Sequence, residues 1–207
     1  MLAEEFDQNN TIIDLFDFDG NKSIVASNFD TGSGTLYEVE DHKLKQVKDF
    51  ELPNGSGQCH GSCFYDADTI GLSTNKHYLF FIDKVSGEII VQYNLPYHIK
   101  DMCTISPGEM MLYFAINSLS AQQEPTYASG LLHISLNFEV KSLTIKNKKF
   151  FRPAAFEAIF LDKNSATFYI PDQFGGRVIL VRLQRQRRIM KHGASSANHQ
   201  SSFPQGG

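Results

Sequence analysis

Tyr78-Leu-Phe-Phe-Ile-Asp-Lys-Val-Ser-Gly-Glu-Ile-Ile-Val-Gln-Tyr-Asn-Leu-Pro96 is the stretch from which the fold is read. Two short runs of β-branched and aromatic residues flank the polar segment Asp83-Lys-Val-Ser-Gly87. Such runs suit a pleated, half-buried surface. Asp, Ser and Gly suit a tight turn between them. Pro96 stops the second run, because proline cannot donate to a β-ladder. The stretch therefore predicts two antiparallel strands, and apolar residues at helical spacing are nearly absent along the rest of the chain.

Working outward, the same order recurs. Upstream of Tyr78, Gly61-Ser-Cys-Phe-Tyr and Thr69-Ile-Gly-Leu-Ser complete a four-strand unit. An earlier unit runs from Thr11-Ile-Ile-Asp-Leu-Phe-Asp-Phe through Ser23-Ile-Val-Ala-Ser and Thr35-Leu-Tyr-Glu-Val to Leu44-Lys-Gln-Val, and it too ends in Leu-Pro, at Pro53. A third is read from Lys100-Asp-Met-Cys-Thr-Ile, Met110-Met-Leu-Tyr-Phe-Ala-Ile, Leu131-Leu-His-Ile-Ser-Leu and Lys141-Ser-Leu-Thr-Ile, with an insertion from Asn117 to Ser129. A fourth is read from Phe156-Glu-Ala-Ile-Phe-Leu, Thr167-Phe-Tyr-Ile, Arg177-Val-Ile-Leu-Val-Arg and a basic strand near Gln184 to Met190. The third strands begin near Thr35, Tyr78, Leu131 and Arg177, at spacings of 43, 53 and 46 residues. Four strands repeated at this period predict an all-β, β-propeller-like domain of about four four-stranded antiparallel blades over residues 1–190. Residues 191–207 are small and polar and are expected to be a disordered tail or the start of a further blade. A β-sandwich is the alternative, since it also uses short strands with frequent turns.

Composition narrows the classes. The 207 residues are 42% hydrophobic and 20% charged, with 12% aromatic, which is ordinary globular chemistry. No apolar run approaches the roughly 18 residues of a membrane helix. Met1 to Asn10 is acidic and lacks the basic and apolar regions of a secretory signal. Together with three cysteines, an odd and low count, this places the protein in a reducing compartment, the cytoplasm, as an expectation. The net charge of −4 hides an asymmetry. Residues 1–181 carry −9 and residues 182–207 carry +5, with Arg182, Arg185, Arg187, Arg188 and Lys191 in the basic stretch. An acidic body does not attract nucleic acid, and the basic run is read as a solvated terminus. Neither nucleic acid nor a membrane is expected as a partner.

Two kinds of known repeat are suggested by particular residues. Leu79-Phe-Phe-Ile-Asp-Lys-Val-Ser-Gly-Glu-Ile-Ile-Val resembles the third strand, turn and fourth strand of WD40-like and YVTN-type propeller repeats, although the chain has no Trp. Val25-Ala-Ser-Asn-Phe-Asp-Thr-Gly-Ser-Gly-Thr-Leu-Tyr and Ile170-Pro-Asp-Gln-Phe-Gly-Gly-Arg-Val-Ile resemble the NHL, SMP-30 and gluconolactonase propellers. The resemblance covers roughly residues 11–190 and implies a fold type rather than an activity. Proteins resembling the SMP-30 group hold a divalent cation such as Ca²⁺ on Glu, Asn and Asp side chains. It would polarise a lactone or ester carbonyl. By residue type that set would be Glu157, Asn28, Asn117 and Asp172, three of them at or next to the ends of second strands. The longer Asn-Gly motif of that group is missing.

Other candidates are weighed against plainer chemistry. His60 could serve as a general base near neutral pH, but no carboxylate partner is fixed by the sequence. Cys59-His60-Gly-Ser-Cys63, with His98 and Cys103, has the residue types of a zinc site without its spacing, so core thiols are expected. A four-unit arc leaves sheet faces uncovered. The leading expectation is therefore a propeller-type protein-interaction or scaffold module without intrinsic catalysis, completed by another protein or a second copy. The alternative is a divalent-metal-dependent hydrolase or lyase of the SMP-30-like type.

Overall fold

A computed structural model describes residues 13–18, 22–41, 43–116, 128–151, 160–162, 167–172 and 177–182. All the regular structure in them is strand. Sheet one contains β1 (Ile13–Phe18), β2 (Ser23–Asn28), β3 (Ser33–Glu40) and β4 (Lys43–Glu51). Sheet two contains β5 (Cys59–Phe64), β6 (Thr69–Thr74), β7 (Tyr78–Asp83) and β8 (Ile89–Asn94). Sheet three contains β9 (His98–Ser106), β10 (Glu109–Ile116), β11 (Ala128–Asn137) and β12 (Ser142–Phe151). Sheet four contains β13 (Phe160–Asp162), β14 (Thr167–Asp172) and β15 (Arg177–Arg182). Each is an antiparallel meander in chain order.

The packing separates a propeller from a sandwich. A sandwich has one core between two layers, whereas here three cores lie between successive sheets. Val25 and Leu36 of sheet one meet Ile70, Leu72, Phe80 and Ile82 of sheet two. The alternate residues Leu79 and Phe81 turn to the opposite side and meet Met110, Leu112 and Phe114 of sheet three. Met111 and Tyr113 of β10 again face the other way, against Phe168 and Ile170 of sheet four. Successive side chains on a strand point to opposite faces. A strand that is apolar in both phases is therefore read as buried on both faces. The first strands lie side by side, β5 against β1 and β9, and mark the inner edge. The architecture is all-β and propeller-like, as the period of the sequence predicts.

The turn that opened the sequence reading forms as its residues dictate. Gly87 N–H donates to the Asp83 carbonyl at 2.8 Å, with Gly87 at φ +80°. The Asp83 carboxylate accepts from the Val85 and Ser86 N–H groups at 3.0 and 2.6 Å. Those bonds hold its carboxyl below the usual range.

Several strand boundaries need correction: β5 begins at Cys59 rather than Gly61, and β11 at Ala128, inside the insertion read as Asn117 to Ser129, rather than at Leu131. The last strand of unit three is not Lys141 to Ile145 but Ser142–Phe151. It is an outermost strand, its residues mostly exposed, so its lysines interrupt any apolar alternation. The first strand of unit three begins at His98 rather than Lys100. The basic strand near Gln184 to Met190, residues 152–159 and residues 191–207 lie outside the described residues.

Candidate functional site

The second strands β2 and β6 end at one end of the inner edge, beside the starts of β5 and β9. Asn28 closes β2, Thr74 closes β6 and Asp172 closes β14, as the alignment of units predicts. Asn28 Oδ1 accepts the Thr31 N–H at 3.1 Å, capping the loop that follows. Thr74 is fully buried, and its Oγ1 has no hydrogen-bond partner. The side chain of Asp172, together with Asn117 and Glu157, lies outside the described residues. Among the described residues no three His, Cys, Asp or Glu side chains gather as a metal-ligand set.

His60 lies at the same end because β5 bulges there. Cys59 pairs with Thr74 and Ser62 with Leu72, so His60 and Gly61 together oppose Ser73. A comparable irregularity in β9 makes Lys100 the extra residue. Bulges re-aim side chains. Here they bring Lys100 Nζ to 3.5 Å from His60 Nδ1. The His60 ring also makes edge contacts at 4.6 Å between centroids with Phe29 and with His98. Burial, then the Lys100 charge, pushes His60 down to about 4. Burial pushes His98 down to about 3, with Lys100, His60 and His77 adding to it. Both imidazoles are thus neutral near pH 7, which makes them weak bases. His98 Nε2 is buried without a hydrogen-bond partner. Cys59 and Cys63 are buried core thiols, and Cys103 is half-buried.

Around this end the blades are joined by hydroxyls that the sequence reading missed. Ser27 Oγ of β2 donates to the His60 carbonyl at 2.6 Å. Ser73 Oγ of β6 donates to the Ile99 carbonyl at 3.0 Å. Ser62 Oγ donates back to the Val25 carbonyl at 3.2 Å. A bulge leaves a carbonyl outside its own ladder, and the neighbouring sheet supplies the donor. Ser27 and Ser73 each stand one residue before the end of a second strand. That shared position was readable in the sequence.

A second feature lies on sheet four. Phe168, Ile170, Ile179 and Val181 turn toward sheet three. Tyr169 and Leu180 pair on the opposite face, with Val178 and Arg182 on that side. Tyr169 is 39%, Val178 58% and Leu180 61% exposed. This is an apolar sheet face without a neighbouring layer among the described residues.

No family model and no curated protein matches the sequence. The fold is similar to a chain in the crystal structure of the mitotic checkpoint complex, at TM-score 0.59 and 9% identity, covering 79% of this chain and 47% of that one. It is also similar to the computationally designed Ika4 protein, at TM-score 0.53 and 12% identity, covering 87% of this chain and 95% of that one. At these identities the likeness is one of fold alone, and the chain spans about half the length of the checkpoint-complex chain it matches.

Proposed function

We propose that the protein is a propeller-type interaction module without intrinsic catalysis, which binds another protein through the exposed face of sheet four that carries Tyr169, Val178 and Leu180. The observation that carries this reading is the exposure of Tyr169, Val178 and Leu180 on one side of a strand pair whose other side is core. Uncovered blade faces are costly, and contiguous apolar patches mark association sites. The neutral imidazoles of His60 and His98 favour binding over proton transfer at this end of the inner edge. The odd, low count of cysteines supports a cytoplasmic location. The test is retention of a protein from native extract by the immobilised chain and by its Leu180→Glu form. A partner, a second copy included, held by the parent chain and lost by the variant supports the reading. Equal retention by both, or none by either, overturns it.

A second reading, the metal-dependent hydrolase, is supported by the equivalent strand-end positions of Asn28, Thr74 and Asp172 in the sequence of their sheets and by the buried, partnerless Thr74 hydroxyl. With Glu157 and Asn117 these residues would hold Ca²⁺, which would polarise an ester carbonyl. It predicts a higher melting temperature on adding Ca²⁺ after chelation. An unchanged melting temperature counts against it.

A further inference from the structure

The junction of sheets two and three carries an aromatic strip at its outer rim. Directly paired residues on neighbouring strands share a face of the sheet. Lys148 pairs with Leu132 and Phe150 with Gly130, so both stand on the side of β12 that Leu132 turns toward sheet two. Gly130 leaves room there for the ring of Phe114, since a Cβ on it would lie 2.6 Å from that ring. Tyr97, on the link from β8 to β9, stacks on Phe114 at 4.3 Å between centroids, and Phe150 stands perpendicular to it at 5.6 Å. Lys148 Nζ sits over both outer rings, 5.5 Å from the Tyr97 centroid and 4.9 Å from that of Phe150. It also donates to Tyr97 Oη at 2.9 Å. Phe150 is 51% and Ile145, on the same side, 42% exposed, and Lys148 is exposed as well.

We propose that this strip docks a short acidic segment of another protein, its carboxylate held by Lys148 Nζ and Tyr97 Oη together and a neighbouring apolar side chain laid on Phe150. The surface is separate from the sheet-four face and does not depend on the reading above. Charge selects the occupant. In a chain of net charge −4, residues 89–97 and 142–151 carry three lysines and no carboxylate. Lys146 is engaged by Glu109, and Lys149 pairs with Leu131 on the opposite face, which leaves Lys148 as the cation of the strip. An ammonium has three donors and Tyr97 Oη takes one, while that hydroxyl keeps its own hydrogen to donate. Two donors 2.9 Å apart suit the two oxygens of one carboxylate. A long polyanion would run beyond the strip over an acidic body, whereas a short acidic segment feels only the lysine within a Debye length of roughly 8 Å. Addition of a strand to β12 is disfavoured by its register irregularity and its lysines.

The whole chain serves for the test, with a random-peptide display library as the probe. Selection on the immobilised chain is expected to enrich peptides that carry aspartate or glutamate beside an aromatic or large apolar residue. Those peptides should bind the Lys148→Glu form, its strand content unchanged by circular dichroism, at least about tenfold more weakly. They should bind the Lys148→Arg form nearly as well as the parent, because arginine keeps the charge and stacks on aromatic rings. Binding to the Leu180→Glu form should be unchanged, so the outcome is independent of the sheet-four face. No enrichment, enriched peptides without acidic residues, or equal binding by the Lys148→Glu form overturns the proposal. Tighter Lys148-dependent binding of an oligouridylate than of the selected peptides also overturns it and gives the strip to single-stranded nucleic acid, whose bases would stack on Phe150.

Discussion

Among the described residues, His60 and His98 are imidazoles whose protonation folding strongly disfavours. An imidazole free in the unfolded chain titrates near 6.5, while in the fold His60 is pushed down to about 4 and His98 to about 3. Below pH 6.5 the unfolded chain therefore binds protons that the folded chain refuses. Stability is complete above that pH and is lost as pH falls toward 4 for His60 and 3 for His98. With solvent screening of these partly exposed rings, the expected loss at pH 5 relative to pH 7 is on the order of 1 kcal/mol per imidazole. Melting curves against pH check it, and a His60→Asn, His98→Asn chain should show a flatter profile over that interval. The hydroxyl contacts belong to this scale too. Ser27→Ala and Ser73→Ala each strand a carbonyl and should cost about 1–2 kcal/mol in urea unfolding. Val25→Ala would test only the core. His60 was legible in the sequence as a titratable residue at a strand start. Its partner Lys100 was not, because the bulges that bring the two together depend on pairing within two sheets, β5 with β6 and β9 with β10.

Strands are legible in this sequence where one or both phases are apolar. Tyr78–Asp83 and Glu109–Ile116 read directly as strands because their side chains fill cores on both sides. Outer strands read poorly for the converse reason: little but solvent selects their residues, as in Ser142–Phe151 with its three lysines. The outer strands β4, β8 and β12 each carry a register irregularity, near Val47, Ile90 and Lys146. Such bulges twist an edge away from pairing with other chains. Close approach between elements is the other quantity a sequence hides. A Cβ added at Gly61 would lie 2.8 Å from Ser73 Oγ and 3.0 Å from the Lys100 carbonyl, where β5 crosses β6 and β9. Gly61→Ala should therefore force sheets two and three apart, at a cost of roughly 2–3 kcal/mol. The midpoint of chemical denaturation checks this, and a cost within error would show that the inner strands have room to spare.

At the scale of the molecule, the period of 43, 53 and 46 residues carries the architecture, because each unit makes one sheet and each sheet meets the next. What lies across the free face was beyond the sequence, since exposure of Tyr169 and Leu180 is a property of the assembled sheet. The three separate cores carry a further consequence. Among the described residues, sheet two shares a core with a sheet on each side, while sheet one shares a core with sheet two. Energy in such a chain accumulates between adjacent layers rather than in one common interior. Amide exchange should accordingly be slowest in Thr69–Thr74 and Tyr78–Asp83 and faster in Ser23–Asn28, and uniform rates would contradict it. Unravelling would start at the outer layers and move inward, so a mild perturbation could loosen one layer while its neighbours hold their shape.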